Sequence, residues 1–114
     1  MENCIFCKII NRSLPARIIF EDEDTLAFHD INPQAPVHIL IIPKKHIAGI
    51  ADLEDGDREL IGKLILIARD QAKSLGLEGD GYRLVFNNGK FGGQQVYHLH
   101  LHLLGGRPLH WPPG

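Results

Sequence analysis

Long hydrophobic runs are missing from this 114-residue chain. None approaches the roughly 18 apolar residues of a membrane-spanning helix, and Met1-Glu2-Asn3-Cys4 lacks the basic-then-apolar pattern of a secretory leader. The sequence therefore predicts no membrane partner and a cytoplasmic location. An excess of one charge is missing too: 12 Lys+Arg against 14 Asp+Glu give a formal net charge of -2, and Lys44-Lys45 is the one adjacent basic pair. Without a basic field to hold a phosphate backbone, a nucleic-acid partner is not expected.

Cysteine is nearly absent. The two cysteines both lie in Cys4-Ile5-Phe6-Cys7, where a bridge would close a loop too short to constrain the unfolded chain, so a disulfide framework is excluded and metal or redox chemistry is implied. Internal repeats and low-complexity tracts are also lacking. With 44% apolar and 23% charged residues, the composition is that of an ordinary globular protein. One domain spanning 1–114 is expected, burying roughly two-thirds of the surface of the unfolded chain.

Residues 17–22 and 25–30 read as a hairpin carrying Ile18, Phe20, Leu26 and Phe28. Asn32-Pro33-Gln34-Ala35-Pro36 is a proline-punctuated turn, and residues 37–42 form a β-branched apolar strand ended by Pro43. Residues 52–75 hold the long helical period, with Leu60, Ile61, Leu64, Ile67, Ala68, Ala72 and Leu75 at steps of three and four before Gly76. A short helix is predicted over 4–10, a strand over 82–86, a glycine-rich loop over 87–95 and a strand over 96–104. Strands outnumber helices and most connections are too short for parallel crossovers, which predicts an α+β fold: an antiparallel sheet of about five strands with one long and one short helix.

The chemistry concentrates in Tyr97-His98-Leu99-His100-Leu101-His102-Leu103-Leu104, which carries three of the seven histidines within five positions. On a strand, alternate residues share a face, so the three imidazoles would line one side roughly 6.5 to 7 Å apart while the leucines enter the core. Two chemistries suit such a face. The imidazoles could bind one metal ion, or a neutral one could attack phosphorus while its neighbours stabilise the phosphate. Asn87-Asn88-Gly89 and Gly92-Gly93-Gln94-Gln95, just before the strand, offer unhindered backbone N–H groups and side-chain amides suited to phosphate oxygens, which favours attack.

The His-x-His-x-His pattern with apolar residues between and after resembles the histidine triad (HIT) superfamily. The likeness extends over Ile18-Ile19-Phe20-Glu21-Asp22, Phe28-His29-Asp30-Ile31-Asn32-Pro33-Gln34-Ala35-Pro36, Ile42-Pro43-Lys44-Lys45-His46-Ile47, Gly92-Gly93-Gln94 and His110-Trp111-Pro112-Pro113-Gly114. These segments resemble the Hint branch, the histidine triad nucleotide-binding proteins. The resemblance implies hydrolysis of purine nucleoside 5′-monophosphoramidates through a nucleotidyl-histidine, with no cofactor for catalysis. His100 would be the nucleophile, His102 would hold a phosphate oxygen, and His38 would assist.

The nucleotide would be bound by Asp30 on the ribose hydroxyls, by Ile31 with Phe6, Ile9, Leu14, Phe28 and Ile39 around the base, and by Asn87, Gly93, Gln94 and Gln95. Gln95 stands where relatives carry a serine that serves the leaving amine, and an amide relays protons less readily than a hydroxyl. The resemblance further implies a homodimer whose sheets join across the interface, with Trp111 docked there near the partner's site.

Cys4 and Cys7 are spaced to present two thiolates to one tetrahedral ion. In some histidine triad proteins the matching cysteines join two histidines on zinc, here His46 and His98, at an end of the sheet away from His100. Free thiols in a reducing cytoplasm are the competing reading. Two other functions compete with the phosphoramidase: a purine-nucleotide-binding adaptor with vestigial catalysis, and a metal-dependent hydrolase that uses the triad as ligands.

Overall fold

The computed structural model describes residues 3–114, so Met1 and Glu2 of the N-terminal segment read above lie outside it. Helix α1 (Ile5–Ile10) is followed by strands β1 (Ile18–Glu21), β2 (Thr25–His29) and β3 (Val37–Pro43). Then come helix α2 (Arg58–Ser74), β4 (Tyr82–Val85) and β5 (Leu101–Gly105). The strands form a five-stranded sheet in the order β1-β2-β3-β5-β4, with every neighbouring pair antiparallel. This is the predicted α+β architecture. Among the described residues, no helix is long and apolar enough to cross a membrane.

Strand alternation builds two cores. Ala27, Ile39, Ile41, Leu101 and Leu103 face α2, where Leu64, Ile67, Ala68 and Ala72 meet them, while Leu26, Phe28, Leu40 and Ile42 face α1 through Phe6 and Ile9. Each buried Leu, Ile or Phe among these contributes about 1.5–3 kcal/mol of transfer free energy, so the sheet is held from both sides. His38 and His102 lie on the α1 side, in register with Leu104 and Leu40.

Helix α2 is shorter than its hydrophobic period suggested. Residues Ile50–Asp52 and Asp55–Asp57 form tight 3-10 turns, and a capping box at Glu54 and Asp57 starts the second of them, which leads directly into the helix. At the far end the Leu77 N–H bonds to the Ala72 carbonyl at 2.9 Å and the Gly76 N–H to Lys73 at 3.2 Å, with Gly76 at φ +76°. That is a Schellman stop, and it leaves Leu75 as the cap instead of a core residue.

The largest departure concerns the histidine segment, where strand β5 begins at Leu101, not at residue 96. The ladder partner β3 runs out at Pro43, and beyond it the Leu99 N–H bonds to the Ile47 carbonyl at 2.7 Å. Side-chain alternation survives without the ladder, since Leu99, Leu101 and Leu103 are all buried on the α2 side. Consequently only His102 of the three histidines sits on a regular strand.

Candidate active site and an adjoining cysteine–histidine cluster

A cavity of about 360 Å³ opens on the α1 side of the sheet, lined by Asp30, Asn32, Gln34, His38, Asn87, Gly93, Gln95, His100 and His102. Strands β3 and β5 deliver His38 and His102, the segment before β5 delivers His100, and the glycine-rich loop closes one side. The structure thus brings together Asp30, Asn87, Gly93, Gln95, His100 and His102 of the predicted nucleotide-site residues, whereas Ile31, Gln94 and the apolar set Phe6, Ile9, Leu14, Phe28 and Ile39 do not line the cavity. Asn32 and Gln34 also line it, two residues that the sequence analysis gives no role at the site although two polar side chains flanking Pro33 close to Asp30 are a usable signal.

Hydrogen bonds fix the imidazole protons. His100 lies 2.7 Å through Nδ1 from the His98 carbonyl, which can only accept, so Nδ1 carries the proton and Nε2 keeps its lone pair. The Gln34 N–H donates to His38 Nδ1 at 3.1 Å, which puts the His38 proton on Nε2, 2.8 Å from His102 Nδ1. His102 must then be protonated on Nε2, a buried atom with no hydrogen-bond partner among the described residues. The cavity therefore presents one imidazole lone pair and one unspent imidazole N–H.

Burial keeps these rings neutral. It pushes His102 down to about 4, helped by His100 and His38, and it lowers His100 against the raising effects of the His98 carbonyl and Asp30. His38 is lowered chiefly by burial as well, although the Asp30 carboxylate, 3.5 Å from Nε2, opposes this. One Asp30 oxygen accepts the Asn32 N–H at 2.8 Å, which aims the carboxylate at the cavity.

Three expectations about the nucleotide pocket need correction. The Gln94 side chain does not line the cavity: its Oε1 accepts the Gly89 N–H at 2.9 Å and its Nε2 donates to the Ala48 and Val96 carbonyls, so it braces the loop. Ile39 faces α2 on the opposite side of the sheet, because one residue along a strand reverses the face. Phe6, Ile9 and Phe28 are core residues, whereas Ile31 stands 95% exposed beside the cavity. The loop depends on Gly93, at φ +83°, and on Gly92, where a Cβ would collide with the Asn88 backbone.

The second cluster is built from Cys4, Cys7, His46 and His98, whose ligand atoms all lie within 4.8 Å of one another. His98 Nδ1 is 3.3 Å from Cys4 Sγ, 3.5 Å from Cys7 Sγ and 3.1 Å from His46 Nδ1, and Cys7 Sγ is 3.4 Å from His46 Nδ1. Tetrahedral zinc with ordinary bond lengths has ligand–ligand edges of roughly 3.3–3.8 Å, so the sulfur–nitrogen contacts fit, while the two imidazole nitrogens stand slightly closer than such an ion would set them. His98 Nε2 donates to the Pro43 carbonyl at 2.8 Å, leaving Nδ1 as a lone pair toward the thiols, the outer-shell arrangement of a metal-bound histidine. Burial and then the neighbouring Cys4 push the Cys7 thiol up to about 11; a divalent cation reverses that balance by binding the thiolate.

The cluster is not remote from His100, contrary to expectation. The His98 carbonyl receives the His100 proton, and the Phe6 ring packs edge-on against both, with centroids 5.9 Å and 5.1 Å away. Nor do the three triad imidazoles converge: His98 turns to the cysteines while His100 and His102 face the cavity. Trp111 is 82% exposed among the described residues.

Comparison with known proteins gives these features a family. The HIT domain matches residues 11–109. This chain belongs to the HIT family. The HIT-like protein of Synechocystis sp. is 55% identical over 113 residues, covering 99% of this chain and 98% of its own. A 14 kDa zinc-binding protein of Zea mays is 54% identical over 112 residues, covering 96% and 87%. Among solved structures, a HIT family hydrolase from Legionella pneumophila superposes with a TM-score of 0.96 at 58% identity, covering 98% of this chain and all of its own. The Legionella protein and one from Clostridium thermocellum, which superposes with a TM-score of 0.93 at 48% identity, are both HIT family hydrolases by name.

Proposed function

We propose that this HIT protein is a Hint-branch hydrolase of purine nucleoside 5′-monophosphoramidates. The observation that carries the reading is the pair of nitrogens in the cavity. His100 has its Nδ1 proton spent on the His98 carbonyl and its Nε2 lone pair free, next to the unpartnered Nε2–H of His102. An attacking lone pair beside an N–H for a phosphate oxygen is what displacement at phosphorus requires.

In the proposed reaction His100 Nε2 attacks the α-phosphorus, the P–N bond breaks, and the amine leaves with a proton. Water then attacks phosphorus, releasing the nucleoside monophosphate and returning the electron pair to Nε2. His102 donates to a phosphate oxygen, and His38 holds His102 in the donating tautomer. Asn87, Gly93 and Gln95 surround the phosphate, Asp30 accepts the ribose hydroxyls, and the exposed Ile31 packs on the base. With Gln95 lacking a hydroxyl, water supplies the leaving group's proton.

Cys4, Cys7, His46 and His98 would hold zinc as a structural ion, supported by the tetrahedral spacing and by the zinc-binding name of the Zea mays relative. Such an ion would clamp α1 to the segment before β5. We also propose a homodimer, which would cover the exposed Trp111. Rapid quenching of the protein with a purine nucleoside phosphoramidate, followed by mass analysis, tests the central reading. A nucleotidyl mass increment on a peptide containing His100 is expected; turnover with no increment at any time point, or binding without turnover, would reject it.

A further inference from the structure

The segment after β5 reaches the cavity imidazoles through the backbone. Arg107 Nη2 donates to the Gln34 carbonyl at 2.8 Å, and the Gln34 N–H in turn donates to His38 Nδ1 at 3.1 Å. His38 Nε2 then meets His102 Nδ1 at 2.8 Å. A neutral imidazole has one proton, so this chain of contacts is satisfied in one direction only, with both histidines protonated on Nε2. The reverse assignment would oppose two N–H groups at Gln34 and leave His102 Nε2 as a lone pair facing an anionic phosphate.

We propose that Arg107, with the Gln34 backbone it holds, is a positioning residue that fixes the direction of donation along the His38–His102 pair. His102 is thereby made to offer an N–H to the substrate. The proposal rests on the phosphoramidase reading for its consequence but not for its geometry. The segment bearing Arg107 is seated firmly. Gly106 has φ +94°, and a Cβ there would stand 2.8 Å from Pro36 Cβ, in the same loop as Gln34. Farther along, Arg83 Nη2 donates to the His110 carbonyl at 2.7 Å. The residues after β5 are thus tied on both sides of Arg107, and the guanidinium spans from them to the loop that sets the tautomer.

Nitrogen-15 NMR of the histidine rings in ligand-free protein reads the tautomers directly, and steady-state kinetics on a nucleoside phosphoramidate reads the consequence. Arg107→Met keeps the stem and removes the donor, Gln34→Pro removes the N–H itself, and Gln34→Ala retains it. In wild type both His38 and His102 should be protonated on Nε2. Gln34→Pro should transfer a large fraction of the His38 proton to Nδ1 and change His102 with it, Arg107→Met should do so in part, and Gln34→Ala should not. Arg107→Met should also lower kcat roughly three- to tenfold, the worth of about one net hydrogen bond, with KM within about twofold. Ring tautomers unchanged in both Arg107→Met and Gln34→Pro would overturn the proposal whether or not phosphoramidates are turned over. Should Gln34→Pro not fold, wild-type tautomers and kcat in Arg107→Met overturn it alone. Altered tautomers in a protein that turns over no phosphoramidate would support the positioning role and refute the proposed function instead.

Discussion

His46 and His98 approach within 3.1 Å through their Nδ1 atoms, and His38 and His102 approach within 2.8 Å through Nε2 and Nδ1. Both pairs have acidic company, two thiols for the first and Asp30 for the second, and by ligand spacing alone each group could hold a metal ion. Their backbone partners separate them. The outer nitrogen of His98 faces a carbonyl, the Pro43 oxygen, so it must donate and leave its inner nitrogen free for a cation. The outer nitrogen of His38 faces an N–H, that of Gln34, so it must accept and keep its proton on the inner side, where a cation would have to bind. One peptide group of opposite polarity therefore turns similar imidazole pairs into a metal-type cluster and a proton-donating pair.

The sharpest break in this comparison comes from His100, which belongs to the donating side. His100→Ala should lower kcat on nucleoside phosphoramidates by at least roughly 10³-fold while nucleotide Kd stays within about tenfold, because the lost nitrogen acts in the transition state. Single-turnover kinetics with a parallel binding titration checks this. On the cluster side, Cys4→Ser or His46→Ala should abolish bound zinc and lower Tm by about 10 °C or more, as expected when a structural metal is lost, while His100 chemistry survives at low temperature. Metal analysis of protein purified without added zinc or chelator supplies the stoichiometry. Protein that takes up no zinc would make this cluster a pair of free thiols.

Between the two sites, Gln94→Ala should cost about 2–3 kcal/mol, because it removes three hydrogen bonds and orphans the carbonyls and N–H they served. The adjoining exposed Gln95→Ala should cost under about 0.5 kcal/mol, and chemical denaturation of both variants measures the contrast. A further contrast concerns pH. His102 titrates near 4 when folded against about 6.5 when free, so across that window the unfolded chain binds more protons and stability falls as the solution is acidified. His102→Phe should flatten this loss between pH 6.5 and 4 relative to wild type, and denaturation midpoints at each pH would register it. Identical slopes would mean that His102 is not buried as a neutral base.

Much of the site was legible because the triad is local. Leu99, Leu101 and Leu103 enter one core and His98, His100 and His102 avoid it, as period-two reading requires, although only Leu101–Gly105 forms a ladder. The family resemblance implies Ile39 against the base, whereas period-two alternation with its neighbours His38 and Leu40 puts it on the opposite face, where the structure has it. Gln94 was misassigned because an amide that binds phosphate and an amide that braces a loop have the same sequence signature. Asn32 and Gln34 carry only a weak sequence signal of their own, because Pro33 and Pro36 account for the turn without them.

By itself the sequence determined the α+β class, the two-sided apolar pattern of the strands, the Cys-x-x-Cys pair and the run of alternating imidazoles, since all of these follow from residue type and short-range period. Only the tertiary structure decided which nitrogen of each histidine carries the proton. That choice depends on whether a carbonyl or an N–H stands at hydrogen-bonding distance, and those groups come from Pro43, 55 positions away from His98, from Gln34 in a loop, and from the His98 peptide itself. Backbone polarity at a given point in space is a product of the fold, and every residue type except proline supplies both signs of it.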